Sequence, residues 1–236
     1  SANGDGTDNV QVVGSGIARL PFGTVAVGHG GTPAHVRLVN LVNNTATTGS
    51  DTMNAARNLT IAAGSTFDLN GFRMTVALGQ ATVTGTLTDA AGGGLFELAE
   101  GADMAFGSGQ VDLPGEFRAG AGSVIDLSTA DLFRVGTLSL LGDAYMDFLG
   151  RDASLDGVLR LLGDQVLLLE GYLVSGAVRN TGGPDLKIEF TGDYTTLLAD
   201  VQPPPPPPGG EIPEPASALL VLTGALGLAA RRRRRA

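Results

Sequence analysis

From about Asn58 onward, apolar and polar residues alternate in runs of four to seven, broken by Gly, Asn and Asp. A period of two with such breaks marks short, half-buried strands joined by tight turns. Within this pattern a triplet of apolar, acidic and apolar residues recurs. It stands at Phe67-Asp68-Leu69, Phe96-Glu97-Leu98 and Ile125-Asp126-Leu127, with a looser echo at Leu155-Asp156-Gly157, so the acids step by 29, 29 and 30 residues. Gly64, Gly94 and Gly122 lead into the first three triplets, and Gly183 before Leu186-Lys187-Ile188 extends the series. The self-similarity predicts a β-solenoid with coils of about 29 residues, each holding three short strands and three turns. Coils stacked at the strand spacing of about 4.8 Å would share one continuous core.

Met74-Thr75-Val76 and Met104-Ala105-Phe106 are candidate second strands, and Val83–Leu87, Val111–Leu113 and Leu138–Leu140 candidate third strands. Leucines crowd residues 160–180, but Gly163, Gly171 and Gly176 divide that run, which predicts a buried strand at Val166–Leu169 rather than a helix. Two alternating stretches, Val10–Val13 and Val36–Val42, lie in the first fifty residues without a clear register, as expected of an irregular cap.

Composition narrows the chemistry. The 236 residues contain 36 Gly, no Cys and no Trp, which excludes a disulfide framework, a Cys-ligated metal and a thiol nucleophile. The glycines follow no collagen triplet and suit a turn-rich β architecture. The net charge of −9 divides unevenly, because five of the 15 basic residues are Arg231, Arg232, Arg233, Arg234 and Arg235. Residues 1–210 carry 10 basic groups against 22 acidic ones, a balance of −12 that repels phosphate backbones and argues against nucleic acid as a partner.

The C-terminal end has its own order. A proline run at Pro203–Pro208 favours an extended polyproline II spacer, followed by Pro213-Glu214-Pro215, the uncharged stretch Ala216–Ala230 and the Arg cluster. Fifteen uncharged residues fall short of the about 20 that span hydrocarbon, although Arg stems that snorkel extend the effective length. Clustered Arg stays on the cytoplasmic side, which would leave the body outside.

IPEPASALLVLTGALGLAARRRRRA, residues 212–236, resembles a PEP-CTERM sorting signal of the kind found on exported proteins of Gram-negative bacteria. The resemblance implies recognition of Pro213, Glu214 and Pro215 by the membrane protease-transpeptidase exosortase. It further implies transient residence in the inner membrane through residues 216–230, with Arg231–Arg235 as the retention tail, and then transfer to the cell surface or extracellular matrix. Gly209-Gly210 is similar to tails processed by rhombosortase, a weaker match beside the Pro-Glu-Pro triplet. Export carries the expectation that a leader preceded Ser1 and was removed. In the body, AAGSTFDLNGFRMTV resembles coils of right-handed parallel β-helix proteins of the secreted adhesin and pectate-lyase-like type, with a β-sandwich as the alternative architecture.

Candidate sites are few. If the triplets stacked in register, Asp68, Glu97 and Asp126 would form an outward acidic ladder that a hard cation such as Ca²⁺ could bridge, or that simply keeps the face soluble. The Gly-Gly-x-Gly-x-Asp calcium repeat is missing. Thr82, Thr84, Thr86 and Thr88 alternate along what reads as one strand, but threonine does not return at the matching place in later coils. His29 and His35, the only histidines, sit among glycines without an acidic neighbour and read as surface-loop residues. No Gly-x-Ser-x-Gly elbow, P-loop or HExxH occurs, and Gly14–Gly16 is an isolated glycine pair.

The sequence thus divides into an N-terminal cap (1–50), a solenoid (51–200), a Pro-rich linker (201–211) and a sorting signal (212–236) that includes a short hydrophobic helix. It reads as a non-enzymatic surface or matrix protein, a structural or adhesive solenoid that contacts exopolysaccharide or itself. The alternatives are a polysaccharide-degrading β-helix using Asp as acid and base and a carbohydrate-binding β-sandwich.

Overall fold

The computed structural model describes residues 22–29, 31–38 and 55–201. Val10–Val13, the end of the Val36–Val42 stretch, and the linker and sorting signal from residue 202 lie outside the described residues. The described residues open with β1 (Phe22–Val27), β2 (His35–Arg37) and β3 (Ala55–Ile61). Then come β4 (Thr66–Asp68), β5 (Arg73–Val76), β6 (Gln80–Val83), β7 (Thr86–Thr88), β8 (Leu95–Leu98) and β9 (Asp103–Phe106). Two long strands, β10 (Gln110–Ala119) and β12 (Leu132–Leu140), flank β11 (Val124–Asp126) and are followed by β13 (Tyr145–Asp147). A 3-10 turn at Ala153–Leu155 leads to β14 (Leu159–Leu162), helix α1 (Val166–Ser175), β15 (Val178–Arg179), β16 (Leu186–Phe190) and β17 (Tyr194–Ala199).

From β1 to β15 every ladder is parallel and joins strands one coil apart, which makes the protein a three-sided β-solenoid. The β-sandwich alternative is ruled out by this pairing, since a sandwich is built of antiparallel neighbours. The first side runs through β2, β4, β7, the start of β10, the start of β12 and β14. The second runs through the start of β3, then β5, β8 and the later halves of β10 and β12. The third runs through β1, the later half of β3, β6, β9, β11, β13 and β15. The long strands β10 and β12 turn the corner between first and second sides through a register shift between Leu113 and Glu116.

In the middle of the stack the coil is shorter than the triplets suggest, whereas toward its ends Val36 pairs with Phe67 and Met146 with Val178, steps of 31 and 32. Phe96 pairs with Phe117 and Phe117 with Leu138, steps of 21 residues, and Leu59 pairs with Ala81, a step of 22. A step of 29 therefore advances one coil and one side. Phe67-Asp68 lies on the first side, Phe96-Glu97 on the second and Ile125-Asp126 on the third. The recurrence is real, but it winds around the solenoid instead of stacking along it.

Alternation decides which residues enter the core. In β5, β8 and β9 every second side chain is buried, and in-register pairing stacks like on like. Val36, Phe67, Leu87, Val111, Phe133 and Leu159 form the inner column of the first side, all buried. Phe96 and Phe117 stack at 5.7 Å between ring centres, and Phe117 meets the edge of Phe133 at 4.8 Å, which ties the second column to the first. Each fully buried Phe, Leu or Ile contributes about 1.5–3 kcal/mol relative to exposure.

Three further expectations are corrected. Val83–Leu87 is not one strand, because the chain corners at Thr84-Gly85 between β6 and β7; Thr82 thus lies on the third side and Thr86 and Thr88 on the first. Leu186-Lys187-Ile188 does not continue the coil series but belongs to the antiparallel hairpin β16–β17. Val166–Ser175 is a helix, not a strand. Leu168, Leu169, Tyr172 and Leu173 recur at helical spacing and face the core, and Gly176 closes the helix at φ +75° with its N–H on Leu173 O.

α1 and the hairpin finish the stack. The Tyr172 hydroxyl accepts from Leu140 N at 3.1 Å and donates to Leu138 O at 3.2 Å, so it satisfies edge groups of β12 that a further strand would otherwise take. On the first side β17 runs antiparallel along β14, and Thr196 Oγ1 donates to Leu159 O at 2.8 Å.

Candidate functional site

The acidic ladder expected from the sequence does not form, because Asp68, Glu97 and Asp126 stand on three different sides. Asp68 is buried; its carboxylate accepts from Asn70 N at 2.9 Å, Ala90 N at 3.0 Å and Arg37 Nε at 2.9 Å. Asp126 accepts from Ser128 N at 2.8 Å. Glu97 accepts from Thr75 Oγ1 at 3.1 Å, is paired with Arg73, and lies 3.7 Å from Arg118. Among the described residues no group of three or more His, Asp or Glu side chains is gathered to hold a metal ion.

The apolar–Asp–apolar triplet has a different meaning. In Phe67-Asp68-Leu69, Ile125-Asp126-Leu127 and Met146-Asp147-Phe148 the carboxylate accepts from the backbone N–H two residues ahead, an Asx turn that ends the strand at a corner. Several acids also reach the neighbouring coil. Asp103 accepts from Val124 N at 2.9 Å, Asp143 from Gly122 N at 2.6 Å, and fully buried Asp89 from Gly71 N at 2.7 Å while also accepting from Gly94 N of its own coil at 2.7 Å. These carboxylates staple the backbone; the sequence does not single them out because they fall on different sides.

Asp147 is the most heavily engaged. It accepts from Leu149 N at 2.9 Å, Thr181 N at 3.0 Å, Thr181 Oγ1 at 2.6 Å and Arg179 Nε at 2.9 Å. Burial pushes its carboxyl up, but the bonds from Thr181, Leu149 and Arg179 outweigh burial and hold it below the ordinary 3.8. Arg179 also stacks over the Tyr145 ring at 3.7 Å.

Outward side chains make two charged strips. On the second side Arg73, Glu97, Arg118 and Glu116 alternate in sign, and Ser139 Oγ donates to Glu116 at 3.1 Å. On the first side Arg134 Nε donates to Asp112 at 2.7 Å and its guanidinium lies 6.0 Å from the Tyr194 ring; the Asp112 hydrogen bond, against burial, raises the Arg134 pKa. His29 forms an isolated bridge with Thr32, and His35 opens β2 beside Thr66, so the two histidines do not form a shared site. Pro213, Glu214, Pro215 and Arg231–Arg235 lie outside the described residues, within which no helix is long and apolar enough to cross a membrane.

The arrangement defines a β-solenoid with ordered polar outer faces. No protein-family model, curated protein or solved structure matches this chain.

Proposed function

We propose that the protein is an exported, exosortase-sorted component of the cell surface or extracellular matrix, a structural or adhesive solenoid that contacts exopolysaccharide or itself. Its coils run right-handed, in keeping with the general preference of parallel crossovers. Residues 216–230 hold it in the inner membrane until processing at the Pro213–Pro215 signal removes Arg231–Arg235.

The observation that carries the passive reading is the use made of the acids. Asp68, Asp89, Asp103, Asp143 and Asp147 each accept a backbone N–H from a neighbouring coil, so these carboxylates hold the coils in register, while Asp126 caps the end of its own strand. What remains outside are strips of charged and hydroxyl side chains, such as Thr75, Glu97, Arg118 and Ser139 in register along the second side. Such strips offer hydrogen bonds to a polyhydroxylated chain lying across the strands.

The test is light scattering on the producer's own exopolysaccharide before and after adding the protein, with the mass of the surface-recovered protein measured alongside. A rise in molar mass, with a recovered protein that lacks Arg231–Arg235, is the expected result. A progressive fall would mean depolymerisation and overturn the passive reading; recovery with all five arginines would overturn the sorting reading.

A further inference from the structure

β16 is an edge strand. Among the described residues it pairs only with β17, in an antiparallel ladder that sets Leu186 against Ala199 and Phe190 against Thr195. The bonds flanking this ladder fix which way its backbone points. Asp200 N donates to Asp185 O and Thr191 N to Tyr194 O, so the hydrogen-bonded pairs fall on odd-numbered residues of β16. Lys187 and Glu189 turn their backbone groups toward β17. Leu186, Ile188 and Phe190 turn theirs outward, to the free edge.

We propose that this edge pairs with β16 of a second copy of the chain, antiparallel about a two-fold axis at Ile188. The segment Leu186-Lys187-Ile188-Glu189-Phe190 is self-complementary in that register. Ile188 faces its own copy and Leu186 faces the partner's Phe190, and these are the positions whose N–H and C=O groups point outward and can exchange bonds. Lys187 then stands opposite the partner's Glu189 in the narrow, non-hydrogen-bonded pairs, where side chains approach most closely. The interface is isologous, so both charge pairs form at once.

The apolar face agrees with this register. Leu186 and Ile188 are partly buried against the core, while Phe190, on the same face of the strand, is left 43% exposed. Pairing brings Phe190 beside the partner's Leu186 and extends one apolar row across both copies. A lysine on an edge strand often guards against pairing, but here the matching acid two residues away makes the charge pattern selective for one partner and one register.

This inference deepens the self-association half of the proposed function. Its test contains no polysaccharide, so failure here leaves the polysaccharide result unaffected. Sedimentation velocity on the full chain is compared with Lys187→Glu, which places like charges opposite each other in both pairs, and with Lys187→Glu/Glu189→Lys, which restores them with signs exchanged. Circular dichroism of each variant checks that the fold is retained, as expected for side chains exposed to solvent. The expected outcome is a dimer, a monomer and a dimer in that order. A monomeric parent chain, a dimer that survives Lys187→Glu, or a double variant that stays monomeric would each overturn the proposal.

Discussion

At the residue scale, the glycines at the corner between first and second sides decide how closely the coils approach. Gly94, Gly115 and Gly136 follow one another at steps of 21 residues, and a Cβ on Gly115 would collide with Gly94 O, as one on Gly136 would with Pro114 O. Gly171 differs, because its position on the outer face of α1 has nothing within 4 Å of an added Cβ. Gly115→Ala should therefore destabilise the fold by about 1–3 kcal/mol through overpacking, whereas Gly171→Ala should stabilise it by about 0.5–1 kcal/mol through helix propensity. Urea unfolding of the two variants checks the contrast, and equal effects would contradict the close-approach argument. Asp147 makes a second residue-level prediction. Its folded pKa is depressed, so its contribution is present above the unfolded value of 3.8 and is lost as pH falls through the folded value. Melting temperature should fall below about pH 4, and Asp147→Asn should flatten part of that fall; an unchanged acid limb would show that the staple contributes nothing.

At the element scale, the alternation of buried and exposed positions made β5, β8 and β9 legible, because the two-residue period survives in Arg73–Val76, Leu95–Leu98 and Asp103–Phe106. The coil length was less legible. Asp68, Glu97 and Asp126 recur because a strand ends or an ion pair forms at similar chemistry on successive sides, and that recurrence masks the stacking period. The step of 21 between Gly94, Gly115 and Gly136 carries the stacking period of the central coils, since only residues on one corner meet across coils. α1 was hidden for another reason. Leu167 and Val174, 83% and 90% exposed, blur the polar face that would distinguish a surface helix, and Gly171 interrupts it. The Asx turns at Asp68, Asp126 and Asp147 are written in the triplets themselves, but the further bonds that Asp68 and Asp147 accept from Ala90 N and Thr181 N show only when the neighbouring coil is in place.

At the scale of the whole molecule, three sides of parallel strands require that each coil lie directly over the one before. The ladders place Thr82 beside Ala105 on the third side, both directed away from the core, whereas Thr66 and Leu95, 29 residues apart, lie on different sides. The chain has no cysteine, so an introduced pair reports on register without competition. Neighbouring strands at about 4.8 Å fall within the Cα separation of about 4.4–6.8 Å that a disulfide bridges. The most direct test is therefore the oxidation of two double-cysteine variants, Thr82→Cys/Ala105→Cys and Thr66→Cys/Leu95→Cys, read as intramolecular disulfide by thiol titration and intact mass. The three-sided solenoid predicts closure of the first pair and free thiols in the second; closure of the second with free thiols in the first would contradict it.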